Sequence, residues 1–283
     1  MRTNAIVRII LFSIAILVLL TILAVGIAAN QFMFRTDFGG NATTSSSGNA
    51  DADVIRKISI EWTSGAITIR PADVEQIIFS ETEAANATPM VWITAGDTLK
   101  ISRAHKESFF HIGIVPDKDL LIEVPRDWSC DSLEIDTASA HVNVENLTIG
   151  KVDFDGASGD FDFRDCAVDH LEIDTASGDL NFCGSLNSLD CDGASADCTI
   201  ALTNCPTRIE MDLASGDLDL TLPESCGFTA NLESLSGKLD TDFQVSHTDN
   251  GFIAGDGSCR IDMSAMSGNI TIHKSTEPWN CDH

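Results

Sequence analysis

The sequence predicts an all-β protein: a single-stack parallel β-solenoid with rungs of about 19 residues, preceded by one N-terminal transmembrane helix. Three observations predict it. One phrase recurs as EIDTASAHVNV, DFDGASGDFDF, EIDTASGDLNF, DCDGASADCTI, EMDLASGDLDL, NLESLSGKLDT and DMSAMSGNITI. Its serines are Ser139, Ser158, Ser177, Ser195, Ser215, Ser236 and Ser267, which stand 19, 19, 18, 20, 21 and 31 residues apart. A period this short belongs to stacked, quasi-one-dimensional folds. Within each phrase, apolar residues alternate with polar ones, the period of a strand. Finally, Ile9–Ala29 is an apolar run of 21 residues interrupted only by Ser13 and Thr21.

Taken in order, residues 1–8 form a short cytoplasmic N-terminus and residues 9–29 the transmembrane helix. At about 1.5 Å per residue the run crosses a hydrocarbon layer of about 30 Å. Arg2 and Arg8 precede it and Arg35 follows, so the positive-inside rule places the remainder outside the cell membrane. Cleavage after the small residues around Gly26-Ile27-Ala28 is the alternative, but the run exceeds the roughly 7–15 residues of a signal core. Residues 30–53 are small and polar and read as a flexible tether. Residues 54–130 form a less regular opening section that caps the solenoid. Its strands are expected at Gln76–Glu81, Met90–Thr94, Thr98–Ser102, His111–Val115 and Leu120–Val124, and Thr63-Ser64-Gly65 marks a degenerate first phrase. The regular array occupies 131–274, and 275–283 is a tail.

Aligned on the serine, positions six and four before it and three and five after it are almost purely apolar. Leu133, Val152, Leu171, Leu189 and Ile209 exemplify the first column. Inward positions are even before the serine and odd after it. A straight strand cannot change parity, so Ala-Ser-Gly is a bend between two arms. The serine is then a corner residue satisfying backbone groups. Ser139, His141 and Asp136 offer the residue types of a catalytic triad, but the histidine occurs in one rung only, and a triad needs geometry that spacing does not supply.

The outward columns are acidic. Five before the serine stand Glu134, Asp153, Glu172, Asp190 and Glu210; three before it stand Asp136, Asp155, Asp174, Asp192 and Asp212. Asp160, Asp179, Asp197 and Asp217 follow it by two. At a spacing of about 4.8 Å, each like-charged pair repels by roughly 0.9 kcal/mol in water. The plain reading is a solvated face that blocks edge-to-edge association. The sharper one is a cation ladder, suited to Ca2+ with its irregular oxygen shell or to cationic peptides and basic wall polymers. The phrase is not the nine-residue calcium repeat, so no cofactor is required. The formal charge of −26, from 17 basic and 43 acidic residues, excludes nucleic acid as a partner. Residues 131–220 alone hold 20 acids against Lys151, Arg164 and Arg208, a net of −17.

Nine cysteines leave at least one unpaired within a single chain. Cys191 and Cys198 fall on inward columns and read as small core residues. Cys166, Cys183 and Cys205 lie in successive closing segments, where a disulfide is conceivable in an exported protein. Cys281 and His283 are too few for a metal site.

A membrane segment, a Ser/Gly-containing tether and the phrases DTASGDL (Asp174–Leu180) and DLASGDL (Asp212–Leu218) resemble the bacterial "putative adhesin" family of envelope β-solenoids. The resemblance covers about residues 54–274. It implies a non-catalytic binding or sensing module in the cell envelope, with envelope proteins or wall polymers as partners. A polysaccharide-acting enzyme on a β-helix is the alternative. Such an enzyme would interrupt the ladders with a cleft of mixed acids, bases and aromatics, and no such cluster stands out here.

Overall fold

The computed structural model describes residues 42–82, 88–103, 117–248 and 251–275. Among these residues the protein is all-β, with no helix long and apolar enough to cross a membrane. The expected transmembrane helix over 9–29 and strand over His111–Val115 lie outside the described residues.

Twenty strands follow one another: β1 (Thr43–Thr44), β2 (Ser47–Ala50), β3 (Lys57–Ala72), β4 (Ile77–Glu81), β5 (Val91–Ala95), β6 (Thr98–Ser102), β7 (Leu120–Pro125), β8 (Ser129–Glu145), β9 (Thr148–Ser158) and β10 (Phe161–Ser177). Then come β11 (Leu180–Ser195), β12 (Cys198–Leu202), β13 (Arg208–Ser215), β14 (Leu218–Pro223), β15 (Phe228–Ser236), β16 (Leu239–Thr241), β17 (Val245–His247), β18 (Gly251–Ala254), β19 (Cys259–Ser267) and β20 (Ile270–Ser275).

Successive turns of chain stack in parallel and in phase with the phrase. Ser158, Ser177, Ser195 and Ser215 are register partners in sequence. Between β10 and β11 the ladder runs through three straight stretches and skips Asp165, Asp169 and Ala176. Those skipped residues are corners, so each turn has three flat arms enclosing a core. The phrase bend is one corner. Gly178 there has φ +149°, and a Cβ would lie 1.9 Å from the Gly159 carbonyl oxygen, so only glycine fits between stacked backbones. Burial follows the change of parity: Leu133, Ile135 and Thr137 are buried before the bend, Ala140, Val142 and Val144 after it. Adjacent rungs also stack aromatics, Phe163 and Phe182 lying 5.7 Å apart.

Chain order is not stacking order at either end. One end is formed by β6 and β7, which pair with β3; β8 then stacks on the other edge of β3. At the far end β13 pairs with β19, and β19 in turn with β15. The phrase at Ser267 therefore sits between those at Ser215 and Ser236, correcting the simple sequence of rungs. The 31-residue spacing from Ser236 to Ser267 contains the reason. Its extra residues form the antiparallel β17–β18 hairpin, which folds over β15 and sends the chain back into the level below.

Antiparallel strands close the ends, β5 on β6 and β4 on β7 at one, β18 on β15 at the other. Thr43–Thr44 and Ser47–Ala50, assigned to the tether by composition, form strands instead. β2 pairs antiparallel with β4 through its backbone, an interaction that needs no apolar pattern. Gly48 permits it: a Cβ there would meet Phe79 at 2.5 Å and Trp92 at 2.8 Å. Beneath this cap, Lys118 Nζ reaches Glu81 Oε1 at 2.7 Å and the Thr88 carbonyl at 3.0 Å, in full burial.

Candidate functional site

Parallel stacking brings every candidate carboxylate into a column, but the columns differ in their surroundings. Nearer the bend, Asp136, Asp155, Asp174, Asp192 and Asp212 are consecutive register partners. Glu61 precedes this inner column and Ser264 follows it. Their neighbours on the bend side are alanines, Ala138, Ala157, Ala176, Ala194 and Ala214. Among the described residues no ion pair reaches any of the five. Burial between rungs, then the charges of Asp155, Glu134 and Glu61, push the Asp136 carboxyl up to about 7. Burial, then Asp155 and Asp192, push Asp174 up to about 6. Burial, then the charges of Asp153, Glu172 and Glu134, raise Asp155, with Lys151 acting in the opposite direction; burial, then Asp212, Asp190 and Glu172, raise Asp192.

The outer column runs Glu134, Asp153, Glu172, Asp190, Glu210 and Asp262. Here a column of bases runs alongside. Lys151 Nζ lies 2.8 Å from both Asp153 and Glu172. His170 Nε2 lies 3.7 Å from Glu172 and 4.0 Å from Asp190. Arg208 pairs with Glu210 and reaches Asp190 at 3.8 Å, and Arg260 pairs with Asp262. Hydrogen bonds to Asp153 and Glu172 raise the Lys151 pKa. The outer five are thus not a bare ladder of like charges. The sequence carries a signal for this: Lys151, His170, Arg208 and Arg260 each stand seven residues before a phrase serine.

The third column is structural. The Asp160 carboxylate accepts the Asp179 N–H at 3.1 Å, Asp179 accepts that of Asp197 at 3.3 Å, and Asp197 that of Asp217 at 2.8 Å. Asp217 accepts two bonds from Asn269, at 2.7 and 2.9 Å. These carboxylates satisfy backbone donors that the bend frees from the ladder. His141 Nε2 lies 3.4 Å from Asp160 Oδ2 on the next rung, which draws it into this column and away from a triad with Ser139 and Asp136.

Among the described residues no three or more His, Cys, Asp or Glu side chains converge as a metal ion would need. Two open depressions, of about 440 and 460 Å³, are lined by Arg70, Pro71, Arg126, Glu145 and Asn146 and by a set including Glu224, Phe243 and Lys274. Neither includes a member of the acidic columns.

Cys205 is disulfide-bonded to Cys226, Cα to Cα 5.5 Å, and Cys183 is disulfide-bonded as well. Cys166, grouped with them by its closing-segment position, is instead a free, buried thiol. Burial, the dominant influence, pushes it up to about 11.

The family model of Toastrack DUF4097 matches residues 55–205 and 184–273, well over half of the 283-residue chain. Three solved structures are similar. One is a "putative cell adhesion protein" from Clostridium sporogenes, 10% identical over 83% of this chain and 100% of that chain, TM-score 0.39. Another is a "putative adhesin" from Bacteroides fragilis, 12% identical over 84% and 98%, TM-score 0.43. The third is a "putative lipid binding protein" from Parabacteroides distasonis, 12% identical over 84% and 98%, TM-score 0.38. No functionally curated protein matches the chain.

Proposed function

The chain belongs to the Toastrack DUF4097 family, and we propose that it is a non-catalytic, membrane-anchored envelope module whose solenoid flank binds a cationic partner outside the cell. The apolar run at 9–29 is the anchor in this reading, and rungs of about 19 residues form a stiff stalk. The observation that carries the reading is the inner column. Among the described residues the five stacked aspartates have no ion pair of the kind that neutralises the outer column beside them. A cationic peptide or basic wall polymer laid along the stack would relieve their mutual repulsion. Protons already do so in part, because the raised carboxyls hold them near neutrality.

Binding of an oligolysine peptide to the full chain in detergent tests this, with Ca2+ as a competitor. Asp155→Asn/Asp174→Asn/Asp192→Asn should weaken binding at least tenfold. Asp153→Asn/Glu172→Gln/Asp190→Asn, which removes charge from the neutralised column, should weaken it less. Binding should tighten from pH 6 to pH 8 as protons leave the inner column. Equal losses in both triple variants, or binding indifferent to salt, would sink the reading. Displacement by Ca2+ at millimolar concentration would make the metal the ligand of the ladder.

A further inference from the structure

Cys191 and Cys198 bracket one phrase bend, at positions four before and three after its serine. Residues at these two positions of a single rung face one another across the corner. In the rung centred on Ser158 they are Phe154 and Phe161, with ring centroids 3.9 Å apart. In the rung of Ser195 both are cysteines, each 1% exposed and each a free thiol in this structure, and the Cys191 thiol acts on that of Cys198 as a hydrogen-bond partner. The same bend differs in its backbone. Gly159, Gly178 and Gly216 hold positive φ at the corresponding corners, whereas this one carries Ala196, which does not. The Ser139 corner carries an alanine too, Ala140, but is flanked by Ile135 and Val142 and not by thiols.

The chain carries disulfides elsewhere. Cys205 and Cys226 are joined, and Cys183 is bonded, so the same fold is built where thiols are oxidised. We propose that Cys191 and Cys198 form a further disulfide that clamps the two arms of this rung inside the core. The electron acceptor is a small-molecule or protein disulfide. One cysteine thiolate attacks a sulfur of that acceptor, forming a mixed disulfide and expelling one acceptor thiolate, which takes up a proton. The second cysteine thiolate attacks the cysteine sulfur of the mixed disulfide. The Sγ–Sγ bond forms and the second acceptor thiolate leaves and is protonated. Two electrons and two protons have then passed to the acceptor.

Exchange has to precede sealing of the rung. In the folded core the mutual hydrogen bond, then burial, raise the Cys198 thiol well above its ordinary value, and a protonated, inaccessible thiol does not exchange. The same sealing protects the bond once made.

Peptide mapping of the full chain, exported to an oxidising compartment and extracted in detergent, tests the proposal. The protein is denatured and alkylated without reductant, then cut before aspartate. Asp190, Asp192 and Asp197 separate the two cysteines into different peptides. The expected result is a linked pair of peptides carrying Cys191 and Cys198, unalkylated, which reduction releases as two. Alkylation of both thiols in chains whose Cys205–Cys226 bond is closed overturns the proposal, as does linkage of either cysteine to another partner.

Discussion

Two columns of carboxylates run side by side along the stack, and they behave oppositely. The outer one, from Glu134 to Asp262, meets Lys151, His170, Arg208 and Arg260. The inner one, from Asp136 to Asp212, meets alanines and the closed surface of the bend. Both descend from one repeated phrase and have the same residue spacing. The difference arises two residues away, where a repeat position admits a base on one side of the outer column and the bend's small residues flank the inner. Net charge counted along a chain therefore says little about local field; what a repeat places in the adjacent column decides it.

The comparison depends on register, so the largest effect should come from breaking the bend that maintains it. Gly178→Ala forces a Cβ against the Gly159 carbonyl at a φ that alanine resists. A loss of about 2–4 kcal/mol is expected, visible as a lower denaturation midpoint.

Acidity offers the next test. The folded pKa values of Asp136 and Asp174, about 7 and about 6, exceed the ordinary value of 3.8. Between those limits the folded state holds more protons than the unfolded chain, so stability falls as pH rises from about 4 to about 7. Discounted for solvent screening, lowering pH from 8 to 5.5 should raise Tm by about 3–6 °C. A Tm that falls steadily over this range would remove the distinction between the columns.

Smaller again is direct neutralisation. Asp155→Asn/Asp174→Asn/Asp192→Asn should stabilise the protein by about 1–2 kcal/mol, by removing stacked repulsion and adding an amide ladder. It should also flatten the pH dependence. Lys151→Met should have the smallest effect, a destabilisation of about 0.5–1 kcal/mol, because it leaves Asp153 and Glu172 facing one another at a solvated site.

The apolar columns, the parity change at Ala-Ser-Gly and the all-β class were legible because each rung repeats a local rule: alternate faces, then turn. The two acidic columns could be located for the same reason. The base column follows the same rule, at the position seven residues before the serine in four of the rungs. The hydrogen-bonding role of Asp160, Asp179 and Asp197 was less visible, since an aspartate beside a bend looks the same whether it faces solvent or caps the N–H of the next rung. Strands β1 and β2 lay hidden because backbone pairing to an edge strand leaves no apolar signature.

By itself the sequence determined the repeat unit, its inward and outward faces and its bend, because these follow from alternation and from the small residue, glycine in most rungs, after each serine. Tertiary structure alone decided the order of the final rungs, where Ser267 lies between Ser215 and Ser236, and the partner of Cys205. Each of these depends on contacts between turns of chain many residues apart. A local pattern specifies what a rung can stack on, while the length and folding of the connections select which rung it meets.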